Sequence, residues 1–270
     1  MQPESSTTLR IDGAGLSDVG RKRSGNEDAY ALHREHNLYI VADGMGGHAA
    51  GEVASRLAVE SIERHISGSD PRQEPTLPAS FRTPRSEEAH LPVPARRVLN
   101  AIRLANQEIV RAVRQNQGQR GMGTTVVTAY VHGARLYVGS VGDSRAYLMR
   151  GSALTQLTSD HTFVNEQVRA GTLTSEEARR HPARNILTRA VGSQEEVDAD
   201  LVVQELQDGD RVLLCSDGLT SMVEDGDIQE VLRAHPGDLD ACCRALVDLA
   251  NDHGGDDNVT VVLLRARTAG

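Results

Sequence analysis

From Thr124 to Thr158 the chain reads TTVVTAYVHG, ARLYVGSVGD, SRAYLMRG and SALTQLT, β-rich runs parted only by short glycine turns. A parallel pair needs a crossover of a dozen or more residues, so runs this close together read as antiparallel neighbours. DADLVVQELQDGDRVLLCSDGL reads as two further strands around an Asp-Gly turn, and NLYIVAD and NVTVVLLRA add more. GLSDVGRKRSGNEDAYAL reads as strands on either side of a polar loop. The clear helices come in pairs instead of alternating with strands. In GEVASRLAVESIERHIS, residues Ala54, Leu57, Ala58, Ser61 and Ile62 fall on one helical face, and Val98, Ile102, Ala105, Ile109 and Ala112 form a second stripe. DIQEVLRAH and LDACCRALVDLA follow, the latter placing Leu239, Cys242, Cys243, Leu246 and Ala250 together. This pattern predicts an α+β fold: two packed antiparallel sheets, a β-sandwich, flanked by pairs of helices in four layers, α-β-β-α.

Composition narrows the function. Net charge is −9, from 38 acidic residues against 29 Lys plus Arg, the opposite of a nucleic-acid-binding surface. Without Trp and with 3% aromatics, the core must come from Val, Leu, Ile and Ala. Cys215, Cys242 and Cys243 have no framework spacing and read as reduced, buried thiols. No apolar run reaches the roughly 18 residues that span a membrane. MQPESSTTLR lacks the basic start and apolar centre of a signal peptide, so a cytoplasmic protein is expected.

Residues 1–10 read as a flexible tail and 11–268 as a single domain. Within it, residues 67–95 hold six of the nine prolines and read as an exposed insertion, a tolerated loop or a carrier of partner contacts and phosphorylation sites at Ser80, Thr83 or Ser86.

Acidic residues stand at strand edges throughout: Glu27 and Asp28 in GNEDAY, Asp43 in VADGMGG, Asp143 in VGSVGDSR, Asp217 in LLCSDGL, and Asp256 and Asp257 in GGDDNVTVV. Any one of them alone reads as a turn. Five acidic strand ends that converged would repel unless cations lay among them, and all-oxygen donors select Mg²⁺ or Mn²⁺. The glycines after Asp43 admit a phosphate cradle or a metal site. DGMGGHAAGE matches neither glycine-rich phosphate motif and no Lys follows, so the loop leans toward metal, with Gly44 offering its carbonyl. Two such ions about 3.5–4 Å apart activate a shared water and clamp the oxygens of an in-line phosphoryl transfer.

GRKRSGNEDAY, VADGMGGHAAGEVAS, GMGTTVVTAYV, LYVGSVGDSRAYL, LTSDH, NILTRAVG, LLCSDGL and GGDDNVTVVLL resemble, in order, the motifs of the protein phosphatase 2C family, in its bacterial form. The resemblance runs from about residue 14 to 266. It implies a metal-dependent phosphatase that hydrolyses phosphoserine and phosphothreonine in proteins through a hydroxide bridging two metal ions. It also implies Glu27, Asp43, Gly44, Asp217 and Asp257 at a central Mn²⁺ or Mg²⁺ pair, and Asp143 with Asp217 at a third ion. Asp28 would hold metal-bound water, and Arg23 would grip the substrate phosphate. The position two residues after Asp43, a histidine in many eukaryotic members, is Met45 here. His48 is then a candidate general acid. A histidine that only packs at a helix start, or a metal-bound water as the acid, are the other readings. Residues from about 160 to 185 fall where the family carries a flap beside the active site. Expected partners are phosphorylated proteins, Ser/Thr kinases and their targets among them, with no nucleic acid, no membrane and a monomeric chain. An inactive binding module of the same fold, or a phosphatase of small-molecule esters, is the rival reading.

Overall fold

Alternation of side chains between two faces decides the layering. In β3 (Leu38–Met45), Leu38, Ile40 and Ala42 point one way and Tyr39 and Val41 the other, and all five are fully buried. A strand buried on both faces lies inside a layered structure. A computed structural model describes residues 9–46, 49–68, 88, 90–119 and 121–268.

One sheet has the order β2 (Asp28–His33), β3, β5 (Val126–His132), β6 (Arg135–Val141) and β9 (Asp200–Glu205), with the short β4 (Gly123–Thr124) pairing the end of β3. The other has the order β1 (Leu9–Asp18), β11 (Val259–Thr268), β10 (Arg211–Cys215), β7 (Arg145–Arg150) and β8 (Ala153–Gln156). Every pairing is antiparallel.

Helices α1 (Ala49–Ser67) and α2 (Val93–Gln115) cover the first sheet, burying Ala54, Ala58, Ile62, Val98, Ile102 and Ile109 against Leu38, Ile40 and Ala42. Tyr39, Val41, Val127 and Val138 meet Ala146, Val212, Leu214 and Val262 between the sheets. Helices α6 (Asp225–Ala234) and α7 (Leu239–Asp252) close the far side, where Ile228, Leu232 and Leu246 pack on Leu213, Cys215 and Val261. The four layers α-β-β-α are as the pattern predicts. All three cysteines are free and buried in the helix-side layer, and burial pushes the Cys215 and Cys243 thiols up to about 12.

Three readings of the sequence need adjustment. Leu9 and Arg10, assigned to the tail, pair with Thr268 and Arg267 in the sheet. Val93 to Ala95, assigned to the proline-rich insertion, open α2, since proline is tolerated in a first helical turn whose N–H groups have no partner anyway. Residues 69–87 and 89 of that insertion lie outside the described residues. The turns after β6 and β9 are not hairpin corners: β6 and β9 belong to one sheet, β7 and β10 to the other. At each the chain crosses the sandwich. Residues 160–185 carry two short helices, α3 (Phe163–Arg169) and α4 (Ser175–Arg180), each N-capped by a threonine, Thr162 and Thr174.

Candidate active site

Strand ends from both sheets meet at one end of the sandwich. Asp43 is the sixth residue of β3, and Asp28, directly across the ladder, opens β2. Asp143 occupies the crossing from β6 to β7, where Gly142 takes φ +101°, a conformation glycine adopts without strain. Asp217 opens the short helix α5 (Asp217–Thr220) after β10, and Asp257 lies two residues before β11. Glu27, Asp43, Gly44, Asp143, Asp217 and Asp257 line one open cavity of about 850 Å³, with Arg23, Met45, Thr125, Asn185 and Leu187 among its other walls. The acids scattered over more than 200 residues of sequence do converge.

Neutral side chains hold them. The Asn258 amide is central: its Oδ1 accepts from the Glu27 N–H (2.8 Å), and its Nδ2 donates to the carbonyls of Val19 and Gly25 (both 2.9 Å). Asp28 Oδ2 accepts from the Thr260 and Ser216 hydroxyls at 2.6 and 2.8 Å. The Ser55 hydroxyl of α1 donates to the Glu27 carbonyl (2.6 Å), and the Thr125 hydroxyl accepts from the Asp43 N–H (3.1 Å). Glycine permits the closest approach: a Cβ on Gly51 would overlap Glu27 Oε2, and one on Gly44 would overlap the Gly51 carbonyl. Arg23 is half exposed at the rim and donates from Nη2 to Asp257 Oδ2 at 2.7 Å. The Arg21 and Lys22 N–H groups pin the same loop to the Gly255 carbonyl. Sequence reasoning overlooked Asn258, Ser216, Thr260, Ser55 and Thr125. All five stand inside motifs already singled out, but a hydroxyl or amide carries no charge or spacing that marks it.

Crowding of buried acids shows in their proton affinity. Burial, then the charges of Asp28, Asp217, Asp143 and Asp257, raises the Asp43 carboxyl far above its ordinary range. Burial lifts Asp28 to about 7 against the pull of the Thr260 and Ser216 hydroxyls, and burial with Asp217 and Asp160 lifts Asp143 to about 8. Asp217 is raised by burial and Asp257, offset by a hydrogen bond shared with Asp43. One oxygen of Asp28, Oδ1, is buried without a partner. Among the described residues no three acidic, His or Cys side chains close tightly enough to cage an ion by themselves. Oxygen donors spread over a cavity wall suit small hard cations that keep part of their water shell. The residues therefore fit a divalent-cation cluster. His48 lies outside the described residues.

Known proteins carry the same design. A family model described as protein phosphatase 2C matches residues 20–253. The chain belongs to the protein phosphatase 2C family. It is 38% identical over 251 residues to the serine/threonine phosphatase stp of Listeria innocua, covering 92% of this chain and 93% of that one. It is also 38% identical over 253 residues to the protein phosphatase PhpP of Streptococcus pneumoniae, covering 92% and 95%. The crystal structure of the Mycobacterium tuberculosis serine/threonine phosphatase PstP/Ppp superposes with a TM-score of 0.82 at 36% identity, over 95% of this chain and 99% of that one. A PstP catalytic domain solved with two manganese ions gives 0.81 at 35% identity, over 96% and 100%. This member of the protein phosphatase 2C family is accordingly a protein serine/threonine phosphatase of the metal-dependent class, acting on phosphoproteins.

Proposed function

We propose that residues 9–268 act as one phosphatase domain, with Glu27, Asp43, Asp217, Asp257 and the Gly44 carbonyl as the ligands of two Mn²⁺ or Mg²⁺ ions. Asp143 and Asp217 serve a third. When bound, the ions supply an activated water and neutralise charge on the phosphoryl oxygens. The observation that supports this reading is the convergence of four half-buried carboxylates, Asp28, Asp43, Asp143 and Asp217, whose proton affinity is raised by desolvation and by neighbouring acids. Such a group of charges is stable at neutral pH only with protons or cations among it.

The remaining work falls to named side chains. Arg23, on a loop fixed to Gly255, offers the planar fork that binds a phosphate through two oxygens, and its partner Asp257 orients it. Asp28, gripped on one oxygen by two hydroxyls, keeps the other buried and without a protein partner, an acceptor left for metal-bound water. His48 remains the candidate donor to the leaving serine or threonine oxygen. The flap from about residue 160 to 185 contributes Asn185 to the cavity wall and selects the protein substrate. Ser/Thr kinases and their targets are the partners proposed for a monomeric, cytoplasmic enzyme. Among the described residues no helix is long and apolar enough to cross a membrane.

Hydrolysis of a phosphothreonine peptide, with and without Mn²⁺, tests this for the wild type and Asp217→Asn. Release that requires the cation and collapses in the variant is expected. A folded wild type that releases nothing under any divalent cation, or that prefers sugar phosphates to the peptide, would overturn it.

A further inference from the structure

His161 follows the Thr158-Ser159-Asp160 stretch and enters the flap, yet only 3% of it is exposed. It meets Gly142, the residue before Asp143, twice. The His161 N–H donates to the Gly142 carbonyl (2.9 Å), and the Gly142 N–H donates to the ring at Nδ1 (3.1 Å). A ring that accepts at Nδ1 carries its proton on Nε2, and Nε2 lies 3.2 Å from Asp200 Oδ2. Asp200 is held on its other oxygen by Arg189 (3.0 Å), which stands just past the flap. The segment leaving the flap closes on the same residue, for the Thr188 N–H donates to the His161 carbonyl (2.8 Å). On the other side of Asp143 in sequence, the Ser144 hydroxyl hydrogen-bonds Thr125 Oγ1 at 2.6 Å.

We infer that His161 is a positioning residue for Asp143: its unprotonated Nδ1 fixes the Gly142 turn, and so aims the Asp143 carboxylate at the third cation. The inference rests on the reading of Asp143 as a ligand. The turn needs such a holder. Gly142 sits at φ +101°, outside the ladders of both sheets, and a glycine backbone left without a partner there has wide freedom. Because the imidazole is tied in turn to Asp200 and Arg189, the base of the flap and the Asp143 turn form one hydrogen-bonded unit. Groups that orient a ligand without touching the metal typically change metal affinity 10- to 100-fold.

Manganese titrations followed by the electron paramagnetic resonance of the free ion test this, with Asp143→Asn, His161→Phe and His161→Asn compared to wild type. Asp143→Asn should abolish the weakest binding event. His161→Phe, which keeps the bulk and loses the acceptor, should weaken that event at least about tenfold and leave the tighter ions unchanged. His161→Asn, whose Oδ1 can stand in for Nδ1, should restore it to within a few-fold of wild type. Nitrogen-15 NMR of the wild type should place the ring proton on Nε2, a readout that needs no variant to fold. A proton on Nδ1, an Asn variant as weak as the Phe variant, or a Phe variant that binds like wild type would overturn the inference. If Asp143→Asn itself leaves the weak event intact, Asp143 is no ligand and the positioning role falls with that reading.

Discussion

Asp28 is bound by two hydroxyls on one oxygen, while the other is buried without a partner among neighbouring acids. Such a residue is a burden to the metal-free fold and an asset to the loaded one. Asp28→Asn is expected to raise the melting temperature of the metal-stripped protein and to weaken manganese binding about 10- to 100-fold. Calorimetry with and without a chelator reads both, and unchanged manganese affinity would reduce Asp28 to a packing acid. Arg23 differs because it stands in solvent, where an ion pair contributes about 0–1 kcal/mol. Arg23→Ala should therefore leave the urea midpoint nearly unmoved. Loss of a charge-assisted contact worth about 1.5–3 kcal/mol should lower kcat/KM for a phosphopeptide by about 10- to 150-fold. Arg23→Lys should recover only part, since an ammonium lacks the two-pronged geometry.

Helix α1 shows how an element can be built for both packing and chemistry. Ala54, Ala58 and Ile62 anchor it on the sheet, while Ser55 reaches the Glu27 carbonyl and Gly51 leaves room for the Glu27 side chain. Ser55→Ala removes a fully buried donor and should cost about 1–3 kcal/mol in chemical denaturation, with manganese affinity falling alongside. A stability loss with normal manganese binding would separate the helix from the site. The apolar stripes of α1, α2 and α7 were legible in the sequence because a helix covering a sheet exposes one face and hides the other. The crossings after β6 and β9 were not, since a glycine turn reads alike whether the chain doubles back or changes sheets. Burial of β6, β7 and β10 on both faces also removes the alternation that would have told them apart. The acids of the site were legible because charge at a strand end is conspicuous. Asn258, Ser216, Thr260 and His161, which hold the backbone and side chains around them, were not.

Across the whole molecule, the acids make stability a function of pH and cation together. The carboxyls of Asp28 and Asp143 hold their protons to about 7 and about 8 in the metal-free fold, and Asp43 and Asp217 are raised as well. In the unfolded chain they lose them near 4. The folded state thus binds more protons over that window, so this contribution to the stability of the metal-free protein is complete below about pH 4 and is lost as pH rises toward 8. Cations compete with those protons, so apparent manganese affinity should climb over the same range. Melting curves in chelator from pH 5 to 8 should fall, and in saturating Mn²⁺ should stay level or rise. A flat chelator series would contradict the raised proton affinities. The sheet that carries Asp257 is closed by ten register pairs between β1 and β11, from Leu9 with Thr268 to Asp18 with Val259. Synthesis delivers Arg23 and Glu27 more than 200 residues before Asp257, Asn258 and β11. A growing chain therefore cannot complete this site until β11 has left the ribosome, so the phosphatase is silent through the synthesis of most of its own domain.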